Sequence, residues 1–433
     1  MKLKKLSLVL TTSLVISLSL FGCGRQGADT VSGGKKPVVI KATFWGAPDE
    51  LNIITNIIKK WQKSHPDIIV KLEHTPYRGY IDKLLTRIAG RSAPDIICTE
   101  VDLFVTFQSK DVLLDLTPYV NADPALNTDD FYPEIIDRFS VKGKLYAIPR
   151  DTAPFACVYY NKKLFDEEGI PYPTDDWDVY DMLDKAKKLT KTSPDGRTLR
   201  YGFYAWAWQN FIYSFGGKLV DKVKNPKKCM LNSKRSIEGL KFYSDLINKY
   251  KVHPTTTAMA NLAMGVQGMF MTERLAMFSS GIWETPGLRR IDNFEWDVVM
   301  FPKGPTGIRG FGTGGTGYCI LKSTKHPKEA FEVLKALAGQ KAQAMLAETG
   351  LTQPAIKSIA ETWANDAKIP KNKKMLIEAM QHVIYDPFTP VWREARELYI
   401  IPALDRVFNG KVEVEPVMDG VVSNVNALLR EGR

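Results

Sequence analysis

The chain predicts an α/β protein. Strand-like apolar runs alternate with helical periodicity over its first hundred residues, and the alternation resumes after Pro149. The composition is that of a packed body, with 44% hydrophobic, 25% charged and 11% aromatic residues. Those proportions exclude wholesale disorder, collagen and coiled coil. At 433 residues there is chain for two to three domains. One long uncharged apolar run occurs, near the start, so a polytopic membrane protein is also excluded.

Val38 to Trp45 predicts a strand. Asp49 then opens a helix in which Leu51, Ile54, Ile57, Ile58 and Trp61 recur at helical spacing, and His65-Pro66 ends it. Ile68 to Leu72 is a second strand. Tyr80 to Ala89 is a helix with Ile81, Leu84, Leu85 and Ile88 on one face, stopped by Gly90. PDIICT, ending at Thr99, is a third strand. This order predicts a parallel sheet with helices on its faces. Such sheets bind ligands beyond the carboxyl ends of their strands, here Gly46 to Asp49 and Glu100 to Asp102. After Pro149, FACVYYNKKLF reads as strand then helix, with further helices at Val179 to Lys191, Lys234 to Tyr250 and Glu329 to Ala338. The tail from Lys374 is helical, with breaks expected at Pro387, Pro390, Pro402 and Pro416.

The N-terminus is a separate signal. MKLKK is basic, Leu6 to Gly22 is uncharged and apolar, and Cys23 follows a small residue. That combination describes an export segment, and the terminal Leu-Phe-Gly-Cys resembles a bacterial lipoprotein signal. The resemblance implies removal of residues 1–22 and diacylation of Cys23. Residues 23–37, rich in Gly and small polar residues, read as a flexible tether. The net charge is +11; without Lys2, Lys4 and Lys5 the chain keeps 56 basic against 48 acidic residues, or +8. No basic block of five occurs, so the clustered stripe of a nucleic-acid binder is missing.

Catalytic and metal signatures are also missing. There is no GxSxG, HExxH or P-loop pattern. The five histidines are scattered, and no metal or other cofactor is expected. Cys98, Cys157, Cys229 and Cys319 form no CxxC pair; Cys98, Cys157 and Cys319 sit in strand-like runs and read as buried small hydrophobes, with no disulfide assignable.

Several segments, taken in order, resemble the extracellular solute-binding proteins of bacterial ABC importers, specifically the carbohydrate group that includes maltodextrin binders. They are TFW, IAGRSAPDIICTEVD, KLYAIPRDTAPFACVYYNKKLF, GMFMTERLAMFSSGIW and GGTGYCILKSTKHPKEAFEVLKAL. The resemblance spans residues 38 to 430. It implies the class II periplasmic-binding fold, two α/β lobes joined by a hinge that the chain crosses several times, closing on a ligand in the cleft. The first lobe is then 38–150 with 316–353, and the second 151–315 with 354–433. Crossings are expected near Arg150–Ala153, Phe311–Thr316 and Gln353–Pro354. The implied partners are a mono- or oligosaccharide, the membrane permease subunits and, through the N-terminal lipid, the membrane. A monomer is expected.

A pyranose has an apolar C–H face and a rim of hydroxyls, so it calls for aromatic rings together with carboxylates and amides. Tyr201 to Gly217 holds eight aromatics in seventeen residues. By the resemblance Trp206 faces the cleft, with Trp208 and Gln209 beside it, and Trp283 is the cleft tryptophan of SSGIW with Glu284 next to it. Asp102 matches an acidic loop position, and Glu100 lies on the same loop. Trp45 and Gly46 occupy the first strand-end loop, Asp151 the first crossing, and Trp392 opens a bordering C-terminal helix. Gly315 admits a close backbone approach. Trp61, Trp296 and Trp363 are assigned to core or surface, and the pair Tyr159-Tyr160, reminiscent of ferric-ion binders, to core. The alternatives are a non-sugar solute such as a sugar phosphate, for which Arg150 and Arg309 would serve, or a metal ion, and a lipid-anchored glycoside hydrolase using Glu100, Asp102 and Glu284.

Overall fold

The computed structural model describes residues 36–432, residue 263 excepted. The expected signal, Cys23 and most of the tether lie outside the described residues. Val38–Phe44 pairs in parallel with Ile68–His74 on one side and Ile96–Glu100 on the other. The rest of this sheet departs from the all-parallel expectation. Thr316–Ile320 runs antiparallel to Ile96–Glu100, with Tyr318 opposite Cys98, and Ile148–Pro149 is antiparallel to it in turn. The reason is connectivity. Thr316–Ile320 arrives from a distant part of the chain and not through a right-handed crossover helix, so nothing holds it parallel.

Helix Pro48–Gln62 begins with Pro48, whose missing N–H is no loss in a first turn, and carries Asp49 and Glu50 there with Lys59 and Lys60 at its far end. Its buried stripe includes Ile54, Ile57 and Ile58. The next helix starts at Tyr77 and not at Tyr80. Glu100 ends its strand, and the helix Val101–Ser109 follows at once, so the expected loop is a strand-to-helix junction. It forms because Val101, Leu103, Phe104 and Phe107 bury their side chains on the sheet while the Val101 N–H donates to the Gly315 carbonyl at 3.2 Å.

A second sheet orders Tyr204–Ala205, Met277–Ser280, Cys157–Asn161 and Trp296–Met300. Cys157–Asn161 and Trp296–Met300 are buried along their whole length, which explains their near-continuous apolar sequences. Tyr159 and Tyr160 lie in this interior, as do Trp296 and Trp363 in theirs, and Cys98, Cys157, Cys229 and Cys319 are buried and free.

Two hydrophobic cores result. One gathers residues between Ile40 and Ile148 with others between Tyr318 and Ile356. The other gathers residues between Ala156 and Phe311 with the C-terminal helices. Each fully buried Phe, such as Phe104 against Phe139 at 5.4 Å, contributes roughly 1.5–3 kcal/mol through burial. Between the cores lies a small sheet of Gln353–Pro354, Asp151–Pro154, Phe311–Gly314 and Val383–Tyr385. Three of these strands are segments expected at crossings; the fourth is not legible in the sequence.

Pro387 and Pro390 lie in the non-helical stretch before Trp392, as expected, whereas Pro402 and Pro416 lie inside helices where breaks were expected. Pro402 sits in the first turn of Ile401–Phe408, and Pro416 in that of Val414–Glu431. Ahead of Pro402, Trp392–Ala395 runs into a π turn, Arg396–Ile400. Proline supplies no N–H to the preceding turn, so the helix widens there instead of stopping.

Candidate functional site

A cavity of about 670 Å3 lies between the two cores, beside the small sheet. Every expected site residue lines it except Trp208 and Trp392, which line an adjoining recess of about 430 Å3. Strand ends and the turns after them supply much of the wall, as the geometry of α/β sheets dictates.

One wall is aromatic. Trp206 follows the strand Tyr204–Ala205, Trp283 lies in the single turn Ile282–Glu284 after Met277–Ser280, and Phe155 bridges two strands. Phe155 is 4.7 Å from Trp206 and 6.0 Å from Trp283, and the two tryptophans are 6.4 Å apart at 47°. Trp206 remains 39% exposed, an uncovered apolar plate. Trp283 is held from behind. Its indole N–H donates to Glu284 Oε1 at 3.1 Å, and the same carboxylate accepts from Ser280 Oγ at 2.9 Å and Gln267 Nε2 at 2.5 Å. Burial raises the Glu284 pKa, and these three donors lower it again in part. Glu284 therefore serves to fix the ring. Gly281 lies directly under that ring, where a Cβ would meet Trp283 at 1.9 Å.

The opposite wall is acidic. Tyr77 Oη donates to Glu100 Oε2 at 3.1 Å. Arg396 Nη1 lies 3.3 Å from Asp102 Oδ2 and 3.6 Å from Asp386 Oδ2. Burial, with the charge of Asp102, pushes the Glu100 carboxyl up to about 8 and Asp386 up to about 6. Burial and Asp102 thus favour the protonated form of Glu100, which can donate to an oxygen as an ionised carboxylate cannot.

Other expected residues are committed to the frame. Asp151 accepts from Arg150 Nε at 2.6 Å and from the Thr316 N–H and Oγ1, both at 2.8 Å. Arg150 also reaches Glu50 Oε1 at 2.9 Å, making a buried ion triad where the small sheet meets the first core. Trp45 is 8% exposed, edge-on to Tyr80 at 5.0 Å. Gly46, at φ +154°, would place a Cβ 2.2 Å from the Glu50 carboxylate. Gly315, at φ +142°, faces Ile135 at 2.8 Å in the same sense, so both positions require glycine. Arg309 is engaged with the Asp175 carbonyl and lines neither chamber.

Tyr77, Phe155, Gln267, Asp386 and Arg396 also line the cavity and were not read from the sequence. Tyr77 had a signal, since it follows the end of the strand Ile68–His74 just as Gly46 follows that of Val38–Phe44. Arg396 had none: its placement depends on the π turn. Among the described residues no group of His, Cys, Asp or Glu is arranged to hold a metal ion, and no helix is long and apolar enough to cross a membrane.

The model of the bacterial extracellular solute-binding protein family matches residues 47–344. The arabinooligosaccharide-binding protein of Bacillus subtilis is 25% identical over 345 residues, 76% of this chain and 75% of that protein. An ABC substrate-binding protein from Listeria monocytogenes, solved in complex with cycloalternan, superposes with a TM-score of 0.83 at 24% identity, covering 90% of this chain and 99% of that one. A solute-binding protein from Thermotoga lettingae bound to α-D-tagatose gives 0.79 at 21% identity, covering 91% and 100%. These solved neighbours share the two-lobed fold.

Proposed function

The chain belongs to the bacterial extracellular solute-binding protein family, and from that premise we propose that it captures a saccharide outside the cytoplasm for an ABC importer. The carrying observation is a single cavity with three rings on one wall, Phe155, Trp206 and Trp283, and hydrogen-bonding carboxyls on the other, Glu100 and Asp102. Rings bury the C–H face of a pyranose, and carboxyls and Arg396 meet its hydroxyl rim. On this reading the first lobe is 38–150 with 316–353, the second is 151–315 with 354–433, and the small central sheet is the hinge. Closure brings the walls together and presents a surface to the permease subunits. The protein acts as a monomer, held to the membrane by a diacylated Cys23.

The same geometry speaks against the alternatives. Arg150 is paired with Glu50 and Asp151, Arg396 is shared between Asp102 and Asp386, and Arg309 lies elsewhere, so among the described residues each cation lining the cavity is already matched by carboxylates. As a hydrolytic acid Glu284 is badly placed, because both of its oxygens already accept hydrogen bonds. The test is a thermal-shift screen of residues 24–433 against a glycan panel. A ligand that binds the folded state raises its melting temperature. At least one saccharide is expected to do so without being cleaved; no shift across the panel overturns the sugar reading, and product release overturns passive binding.

A further inference from the structure

Arg138 has no part in the reading above. It ends the helix Pro133–Arg138, which falls in the first lobe of the proposed division, and it is 3% exposed. A guanidinium taken out of water needs compensation. Here the compensation comes from far along the chain. Arg138 Nη2 donates to the Asp386 backbone carbonyl at 2.6 Å. Its Cζ lies 5.0 Å from the centre of the Tyr385 ring and 4.9 Å from that of Phe388. A cation over desolvated rings is held by their quadrupoles. The neighbouring carboxylates have partners of their own, Asp137 with Lys224 at 2.5 Å and Asp386 with Arg396 at 3.6 Å.

The segment so gripped is the seam between the cores. Val383 and Ile384 pack on the second core, and Tyr385 and Phe388 on the first. Phe388 lies 6.3 Å from Phe104, and its N–H donates to the Val223 carbonyl at 2.7 Å. Val383–Tyr385 runs parallel to Phe311–Gly314 in the central sheet. One residue further on, Asp386 lines the cavity, and its carboxyl shares Arg396 with that of Asp102. Arg138 lines neither chamber, yet it holds the backbone of a residue that does.

Building on the proposed lobes and cavity, whatever the chemistry of the ligand, we infer that Arg138 is a positioning residue for ligand capture. It pins the segment 385–388 of the second lobe to the first, and through the Asp386 backbone it sets where the Asp386–Arg396 pair stands in the cavity. Lysine cannot replace it. Only a planar fork donates to a carbonyl while its face rests on rings.

The experiment combines amide hydrogen exchange of the ligand-free protein with calorimetric titration of maltotriose, mannotriose and arabinotriose. It uses the wild type, Arg138→Lys, Asp386→Asn and the double variant. Arg138→Lys keeps the charge and loses the fork. Exchange over residues 383–396 is expected to accelerate by roughly tenfold, while the first-sheet strand Val38–Phe44 exchanges as before. For any of the three sugars that the wild type binds, Arg138→Lys should weaken binding by roughly five- to twentyfold, but by less than about twofold once Asp386→Asn is present, because its route to the cavity is then cut. A purely structural role gives the same loss in both backgrounds. That additivity, or unchanged exchange over residues 383–396, overturns the inference. Should the wild type bind none of the three, that failure counts against the saccharide reading and not against the pin, which the exchange result then decides. Thermal melts check folding. Should Arg138→Lys not fold, Phe388→Leu, which takes one ring from the guanidinium, supplies the same two readings.

Discussion

The two walls of the cleft differ in balance. On the proposed division, the first lobe brings Glu50, Glu100 and Asp102 with the rings of Trp45 and Tyr77, while the second brings Phe155, Trp206 and Trp283 with the cation Arg396 and the carboxyls Asp151, Glu284 and Asp386. The division extends around the rim. Asp49 faces Arg290 at 2.6 Å, Asp82 faces Arg393 at 2.9 Å, and Asp137 faces Lys224 at 2.5 Å, the acid coming each time from the first lobe. A ring buries apolar surface against whatever sugar face it meets, and needs little further precision. A carboxyl gains only from a hydroxyl at the right distance and angle. On the proposed sugar reading, Phe155, Trp206 and Trp283 would hold the apolar face and Glu100 and Asp102 would discriminate among hydroxyls.

The largest expected effect breaks the aromatic wall. Trp206→Ala and Trp283→Ala should each cost roughly 2–4 kcal/mol of binding, or about 30- to 1,000-fold in Kd, read by calorimetry with folding checked by melts. Wild-type affinity in both folded variants would remove the cleft from where it is placed here. Gly281→Ala sharpens the point without deleting a ring. The new Cβ collides with Trp283, so binding should fall by on the order of tenfold, about 1.4 kcal/mol, with altered tryptophan fluorescence.

Arg396→Gln tests the junction of the two walls. It leaves Asp102 and Asp386 without their shared cation, and a loss of roughly tenfold, about 1.4 kcal/mol, is expected, with a weaker salt dependence than the wild type. A smaller signal is the pH dependence of stability. The Glu100 carboxyl titrates near 8 in the folded protein but near about 4.3 when unfolded. Between those values the folded state holds more protons, so stability falls as pH rises through that window. Glu100→Gln should flatten the fall in melting temperature measured between acid and mildly alkaline buffer. Smallest are the rim pairs. Arg290→Ala and Arg393→Ala should each alter affinity by a few-fold at most, since exposed pairs are worth roughly 0.2–1 kcal/mol, and the change should vanish in high salt.

What could be read in advance divides along physical lines. The helix Pro48–Gln62, the strands from Val38–Phe44 to Ile96–Glu100, and the buried runs at Cys157–Asn161 and Trp296–Met300 were legible, because local periodicity and turn chemistry specify them. Trp206, Trp283, Glu100 and Asp102 were legible through an ordered resemblance and through the rule that strand ends carry sites. Whether a named side chain is free was not. Asp151 and Glu284 look alike as sequence, yet one is locked in an ion triad and the other braces a tryptophan.

The sequence by itself determined most of the elements, their order and many of the residue types that line the cavity. Tertiary structure alone decided that Thr316–Ile320 enters the sheet antiparallel, that Val383–Tyr385 joins the central sheet, that Arg396 reaches Asp102 nearly three hundred residues away, and that a recess opens beside the main cavity. The reason is range. Periodicity and capping act over one or two turns of chain, whereas pairing partners, burial and the shape of a cavity are fixed by segments distant in sequence that meet only when both cores have packed.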